Sequence, residues 1–304
     1  MKRILLFIFF INYFGFAQQQ EIQSENLFWP FEYNLPIDGI IGEKKCYVRK
    51  NASTNSSVLD SLQIGNPITV LSQSDNFLTL RGLTLPWVEI KYQKGNNIQK
   101  GFLWKGFIAI GDSYHKNVHF ITSLNKKMDK KVTENNDGDK YEYLKTFYDF
   151  KISVCDLSHI ILDEKTFEHS VSDNYYFTNS TIDNCGLKDV ISIYEVVFNG
   201  EACAVPNEYK YFYWNGKKLD FLLEKYNVGD AGAYYYSEDV ILPNENGGRA
   251  NTIIKQIEEA VNIGDTFTSS EFQIKKSTQY FSWNGKKIKW IKTIRKKPYI
   301  SNLE

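Results

Sequence analysis

Short apolar segments alternate with polar clusters along most of the chain, the pattern of half-buried β-strands rather than helices. Between Ile37 and Gly111 five such segments stand out: Cys46 to Val48, Ser57 to Leu62, Pro67 to Ser72, Trp87 to Tyr92 and Gly101 to Ile110. The clusters NASTNSS, IGNP and KGNN fall between them and supply turn residues. Five short strands in so compact a stretch predict a small barrel.

Downstream the pattern changes. Ser113 to Thr133 is polar and basic, with NKKMDKK at its centre, and reads as a solvated connector or the edge of a second domain. Tyr141 to Ile294 is a long aromatic and β-branched region with no linker-like run, which predicts one larger antiparallel β-rich domain: a meander, a sandwich or a partial propeller. Within it YFYWNGKKL, from Tyr211 to Leu219, returns as YFSWNGKKI, from Tyr280 to Ile288, 69 residues later. Asn-Gly between apolar runs predicts a tight hairpin with a type I′ turn, in which both central residues have positive φ. Two copies at one spacing point to an internal duplication. Thr252 to Val261, TIIKQIEEAV, fits a helical face by periodicity, but the hairpins around it favour a strand. The expected fold class is therefore all-β.

The first residues, MKRILLFIFFINYFGFA, place Lys2 and Arg3 ahead of an apolar run ending at Ala17. That is the form of a secretory signal peptide over 1–17, and the run is short of the roughly 20 apolar residues that span a bilayer. No cysteine stands at the cleavage point to carry lipid, so the expectation is a periplasmic or secreted protein, not a lipoprotein, with no membrane insertion after cleavage. A leader over 18–36 precedes the barrel at 37–111 and the β-rich domain at 112–304. The chain has 36 basic and 36 acidic residues, and cleavage removes two basic ones. A slightly acidic mature chain argues against nucleic acid as a partner. Tyr 20 and Phe 21 make the chain aromatic-rich, as strand-dominated proteins are. Four cysteines, Cys46, Cys155, Cys185 and Cys203, allow three complete pairings that sequence does not separate. The exported setting makes a disulfide among Cys155, Cys185 and Cys203 a candidate.

The order of residues in the first unit resembles the bacterial SH3 (SH3b) domain. Tyr47-Val48-Arg49 stands at the VR core of that family's opening strand, and Ser53 to Leu59 matches its polar loop and second strand. Leu62 with Ile64-Gly65 matches the turn, Ile68 to Leu71 the third strand, Trp87 to Ile90 the "WVKV" strand, and Gly101 to Trp104 the closing "GWV" strand. Two departures stand out: Lys50-Asn51-Ala52 replaces the usual proline-bearing step, and Phe77 to Pro86 is an insertion. The resemblance implies recognition of peptidoglycan or its peptide stems by loops and exposed aromatics, with Tyr47, Trp87 and Trp104 as the ligand-binding candidates.

Catalytic chemistry is sparse. Asp183-Asn184-Cys185-Gly186-Leu187 faintly resembles the nucleophile segment of NlpC-type cysteine peptidases, whose base lies downstream, yet no histidine follows Cys185. His115 and His119 have the i, i+4 spacing of zinc ligands but lack the glutamate of the metalloprotease motif. Glu195, Glu201, Asp230 and Glu238 lie near aromatic strands, and nothing in their spacing selects a glycosidase pair. Asn135 to Asp139, and Asp183-Asn184 with Asp189, are oxygen-rich loops, the second faintly like the β-repeats of the FG-GAP and VCBS type; its acids are too sparse for a calcium shell. GxSxG, GxxxxGK(S/T) and GxGxxG are absent from the sequence. The expectation is a non-enzymatic exported binding protein with no catalytic residue, metal or cofactor, its partner peptidoglycan or an envelope protein. A wall or polysaccharide hydrolase with a carboxylate pair and a periplasmic inhibitor or immunity protein are the alternatives.

Overall fold

The computed structural model describes residues 35–136, 139–170, 175–264 and 271–302. The signal-peptide and leader expectations up to residue 34, and most of the Asn135 to Asp139 loop, lie outside these residues. The fold is all-β: antiparallel sheets that include a curled half-barrel, with no α-helix among the described residues. Two compact units divide the chain. One holds the described residues through Gly111 with Ile121–Ile152 and 166–170; the other holds Asp112–Phe120, Ser153–Lys165 and the described residues from 175 onward.

The first sheet contains β1 (Ile37–Ile40), β2 (Lys45–Arg49), β3 (Val58–Gln63), β4 (Pro67–Leu80), β5 (Leu83–Lys94) and β6 (Asn97–Trp104), in the order β1-β4-β5-β6-β2-β3. A single 3-10 turn, Lys105–Phe107, ends β6, so the strand expected to reach Ile110 stops at Trp104. Alternation drives these pairings: Cys46 and Val48 of β2 are buried while Lys45 and Tyr47 face out. Strands β2 and β6 meet at Arg49 and Phe102. Gly101 permits that meeting, because a Cβ there would stand 2.5 Å from Val48 Cγ1. The segment read as an insertion, Phe77 to Pro86, is the far end of the β4–β5 hairpin. Arg81 and Gly82, with φ of 57° and 80°, make its two-residue turn. Arg81 is held there by Glu43 at 2.8 Å and Asn125 at 3.2 Å.

Strands β7 (Gly111–His115), β8 (Val118–Asn136), β9 (Asp139–Asp156) and β10 (Ile161–His169) form a four-stranded sheet of order β10-β9-β8-β7. The stretch from Ser113 to Thr133, expected to be a solvated connector or the edge of a second domain, is mostly strand. The first part of β8, His119 to Leu124, is buried on both faces, and the adjacent pairs Lys126-Lys127 and Lys130-Lys131 that follow put charge on both faces, so no period-two pattern shows.

The remaining sheet is a meander of β11 (Tyr175–Asp183), β12 (Ser192–Gly200), β13 (Asn207–Trp214), β14 (Leu219–Asp230), β15 (Tyr234–Ile241), β16 (Thr252–Asn262), β17 (Glu271–Trp283) and β18 (Ile288–Arg295), each paired with the next. A last strand, β19 (Tyr299–Asn302), pairs with the other end of β17. The ambiguous TIIKQIEEAV segment is strand β16. The repeated phrases occupy equivalent hairpins, β13–β14 and β17–β18. Each carries a register shift at the same place, Tyr211/Phe212 and Tyr280/Phe281. Their turns differ from the expected type I′. Trp214 pairs with Leu219 and Trp283 with Ile288, so each loop has four residues. Positive φ is confined to the glycines, Gly216 and Gly285 at 91°, and the asparagines use their side chains instead. Asn215 Oδ1 accepts from the backbone N–H of Lys217 and Lys218, and Asn284 Oδ1 from those of Lys286 and Lys287. A core that includes Leu187, Val190, Ile193, Tyr213, Leu222, Ile253 and Trp283 gathers residues from both copies.

Candidate functional site

In the first unit the loop at 50–57, between β2 and β3, is a candidate ligand surface. Its polar residues fold the loop on itself. Arg49 donates to the Ser56 carbonyl at 2.7 Å, Lys50 N–H to that of Ser57 at 3.0 Å, and Asn51 N–H to Ser56 Oγ at 2.9 Å. The loop is therefore preset rather than floppy, which lowers the ordering cost of holding a ligand. Strand β4 carries register shifts between Val70 and Phe77. Asn76, at this bulge, donates its side-chain N–H to the Ala52 carbonyl at 3.3 Å and joins the bulge to the loop. Phe77, the next residue, is exposed. Bulges re-aim side chains in this way.

The three aromatic candidates occupy different settings. Tyr47 is 49 % exposed, with the Lys45 ammonium 5.4 Å from its ring centre. Trp87 and Trp104 are buried register partners on β5 and β6. Trp104 is fully enclosed: its indole N–H donates to the Leu78 carbonyl at 2.9 Å, and the Phe107 ring packs edge-on at 5.2 Å. Those two rings meet protein on the faces a ligand would stack against. Phe77 and Asn76 were missed from the sequence, where the only trace is the break in alternation at SQSDNF. Nearby on β3, Asp60 pairs with Lys94 at 3.0 Å, and the hydrogen bond from that lysine holds its carboxyl below the usual range.

Most of the residues considered for catalysis or metal binding lie in the second unit. Cys185 sits at φ 47° in the 184–191 loop. Burial pushes its thiol pKa up, and the carboxylates of Glu245 and Asp183 push it further. An activated nucleophile needs the opposite. Asn184 turns the loop, its Oδ1 accepting from Gly186 N–H at 3.0 Å and its Nδ2 donating to the Val190 carbonyl at 3.2 Å. His115 and His119 lie on either side of the β7–β8 turn, so their spacing is not helical. His119 is buried, 2.7 Å from Asp112 Oδ2 and stacked on Tyr114 at 3.7 Å. Burial is the main cause that lowers the pKa of His159, whose ring lies 6.0 Å from that of His119. Among the described residues no group of three or more His, Cys, Asp or Glu could hold a metal. Glu238 is buried and engaged by Lys255 at 2.9 Å and the Tyr236 hydroxyl at 2.7 Å; Glu195 accepts from Ser180 at 3.0 Å. Glu201 and Asp230 are exposed.

No disulfide joins the cysteines. Cys46, Cys185 and Cys203 carry free thiols, Cys46 buried and Cys203 exposed, while Cys155 is buried. Burial first, and Glu43 second, push the Cys46 pKa to about 12.

No protein-family model matches the chain, and none of the curated proteins does.

Proposed function

We propose that this chain is an exported, non-enzymatic binding protein whose N-terminal unit works as a bacterial SH3-like module holding peptidoglycan or another envelope ligand. The observation that carries this reading is the preset loop at 50–57, tied through Asn76 to the β4 bulge that exposes Phe77. A preorganised polar loop beside an exposed ring gives a peptide or sugar both hydrogen-bond partners and a stacking face. The segments that carry the SH3b resemblance fall on β2 to β6, strands of one sheet, which also supports it.

The test is co-sedimentation with insoluble peptidoglycan of the chain beginning at Gln18, beside its Tyr47→Ala and Phe77→Ala forms, with released sugar and peptide assayed in the same tubes. Both substitutions remove exposed rings, so folding should persist. Binding weakened about tenfold by either one, without release, is the expected result. Release of fragments would point to the hydrolase instead, and failure of the unaltered chain to sediment would overturn the wall ligand.

A further inference from the structure

The two copies of the WNGKK hairpin have diverged in one strand. In the first copy, β14 continues as LDFLLEKY, and its acids Asp220 and Glu224 balance the lysines. In the second, β18 continues as IKWIKTIRKK: from Lys286 to Lys297 the chain carries seven basic residues and no acidic one, in a sequence whose overall charge is zero. Lys286, Lys287, Lys289, Lys292, Arg295, Lys296 and Lys297 make no ion pair to a carboxylate among the described residues, whereas Lys275 and Lys276 of the neighbouring β17 pair with Glu259 and Glu258. Lys296 acts on the Glu258 carboxylate only at longer range, and the Lys292 ammonium lies 5.1 Å over the Tyr280 ring, so no ion pair balances the charge of the run.

The apolar residues have diverged in setting as well. The register shift leaves Leu222 as the extra residue of β14 and Ile291 as the extra residue of β18. Leu222 is 2 % exposed and belongs to the core; Ile291, its counterpart, is 47 % exposed. Trp290, counterpart of Phe221, is 59 % exposed. Because the bulge interrupts the alternation, Lys289, Trp290, Ile291 and Lys292 are all exposed in succession. Ile294 and Ile300 add to the surface. Lysines alone guard an edge strand against pairing with other sheets. An exposed indole and three exposed isoleucines among them work against that purpose and call for a second cause.

We propose that the β18–β19 edge docks edge-on to an anionic lipid bilayer, with the cations on the headgroup phosphates and Trp290, Ile291 and Ile294, which the register spreads over both faces of the strand, seated at the headgroup–acyl boundary. Charge complementarity names an anionic partner. The choice of a bilayer rests on the aliphatic side chains, which gain nothing from a hydrated polyanion but are buried by an interface that also accommodates indole. The docking is peripheral, and it stands independently of the ligand of the N-terminal unit.

The experiment uses the chain beginning at Gln18, since the apolar segment at 1–17 would bind vesicles by itself. The protein is floated with vesicles of phosphatidylcholine, or of equal parts phosphatidylcholine and phosphatidylglycerol, at low and high salt. Lys289→Gln/Lys292→Gln/Lys296→Gln and Trp290→Phe forms run alongside, their folding checked by near-ultraviolet circular dichroism. Flotation only with phosphatidylglycerol, reversed by salt and weakened about 100-fold in the triple variant, is expected. So is a blue shift of tryptophan emission that Trp290→Phe abolishes. Absence of flotation at low salt, equal flotation of the triple variant, or binding to single-stranded DNA without flotation would each overturn the proposal.

Discussion

The Tyr213 hydroxyl donates to the Lys286 carbonyl at 3.0 Å, tying the strand that leads into one Asn-Gly turn to the turn of its sister hairpin. The two rings behind this bond also meet: Tyr213 packs edge-on against Trp283 with centroids 5.0 Å apart. Trp283 in turn donates its indole N–H to the Lys188 carbonyl at 2.7 Å, holding the 184–191 loop against the second copy. Tyr213→Phe keeps the ring and removes the bond. It should lower stability by about 1 kcal/mol, seen as a lower urea midpoint with an unchanged slope. An unmoved midpoint would show that the bond exchanges with water at no cost.

Gly285 faces the same loop. At φ 91° a side chain is strained, and a Cβ there would lie 2.5 Å from Asp189 Oδ2. Gly285→Ala should cost about 1 to 3 kcal/mol. Part of that cost is the clash, so it should shrink in an Asp189→Gly background, where the carboxylate is gone and the positive φ of residue 189 is kept. Equal costs in the two backgrounds, measured by urea titration, would assign the whole penalty to the backbone.

Asp220 links stability to acid. Burial alone would raise its pKa, but hydrogen bonds from Lys165, Lys218 and the Phe221 N–H outweigh it and hold the carboxyl at about 2, against an ordinary 3.8. A depressed carboxyl contributes stability that is complete above its unfolded pKa and disappears as pH falls through the folded one. Wild-type melting temperature should therefore drop between about pH 4 and about pH 2, and Asp220→Asn should flatten that part of the profile while lowering the plateau above it. A variant whose acid limb is as steep as wild type would assign the loss to other carboxylates.

Much of this fold is written in the chain's period-two pattern, and the Asn-Gly phrases mark their hairpins because each loop needs a glycine at positive φ. The turn type was hidden, since Asn215 and Asn284 cap backbone N–H groups with their side chains instead of taking positive φ themselves. Strand β8 was hidden because it has no alternation to read: His119 to Leu124 are buried on both faces, and paired lysines follow. The site was harder still. Aromatic identity pointed equally to Tyr47, Trp87 and Trp104, yet burial separates them, and burial depends on the partner strand: Trp104 faces Trp87 across β5 and β6. Asn76 reaches Ala52 over 24 residues, a contact that no local signal announces.

The meander order of the second unit also bears on how the chain reaches its native state. From β11 to β18 each strand bonds to its successor, so ladders can zip up in the order in which they are synthesised, each closing a short loop. The bonds between Tyr213 and Lys286 and between Trp283 and Lys188 span 73 and 95 residues and fall into place only once two hairpins already stand. Contacts made after the transition state act as a latch. Loosening them quickens escape from the native state and leaves the rate of arrival nearly unchanged.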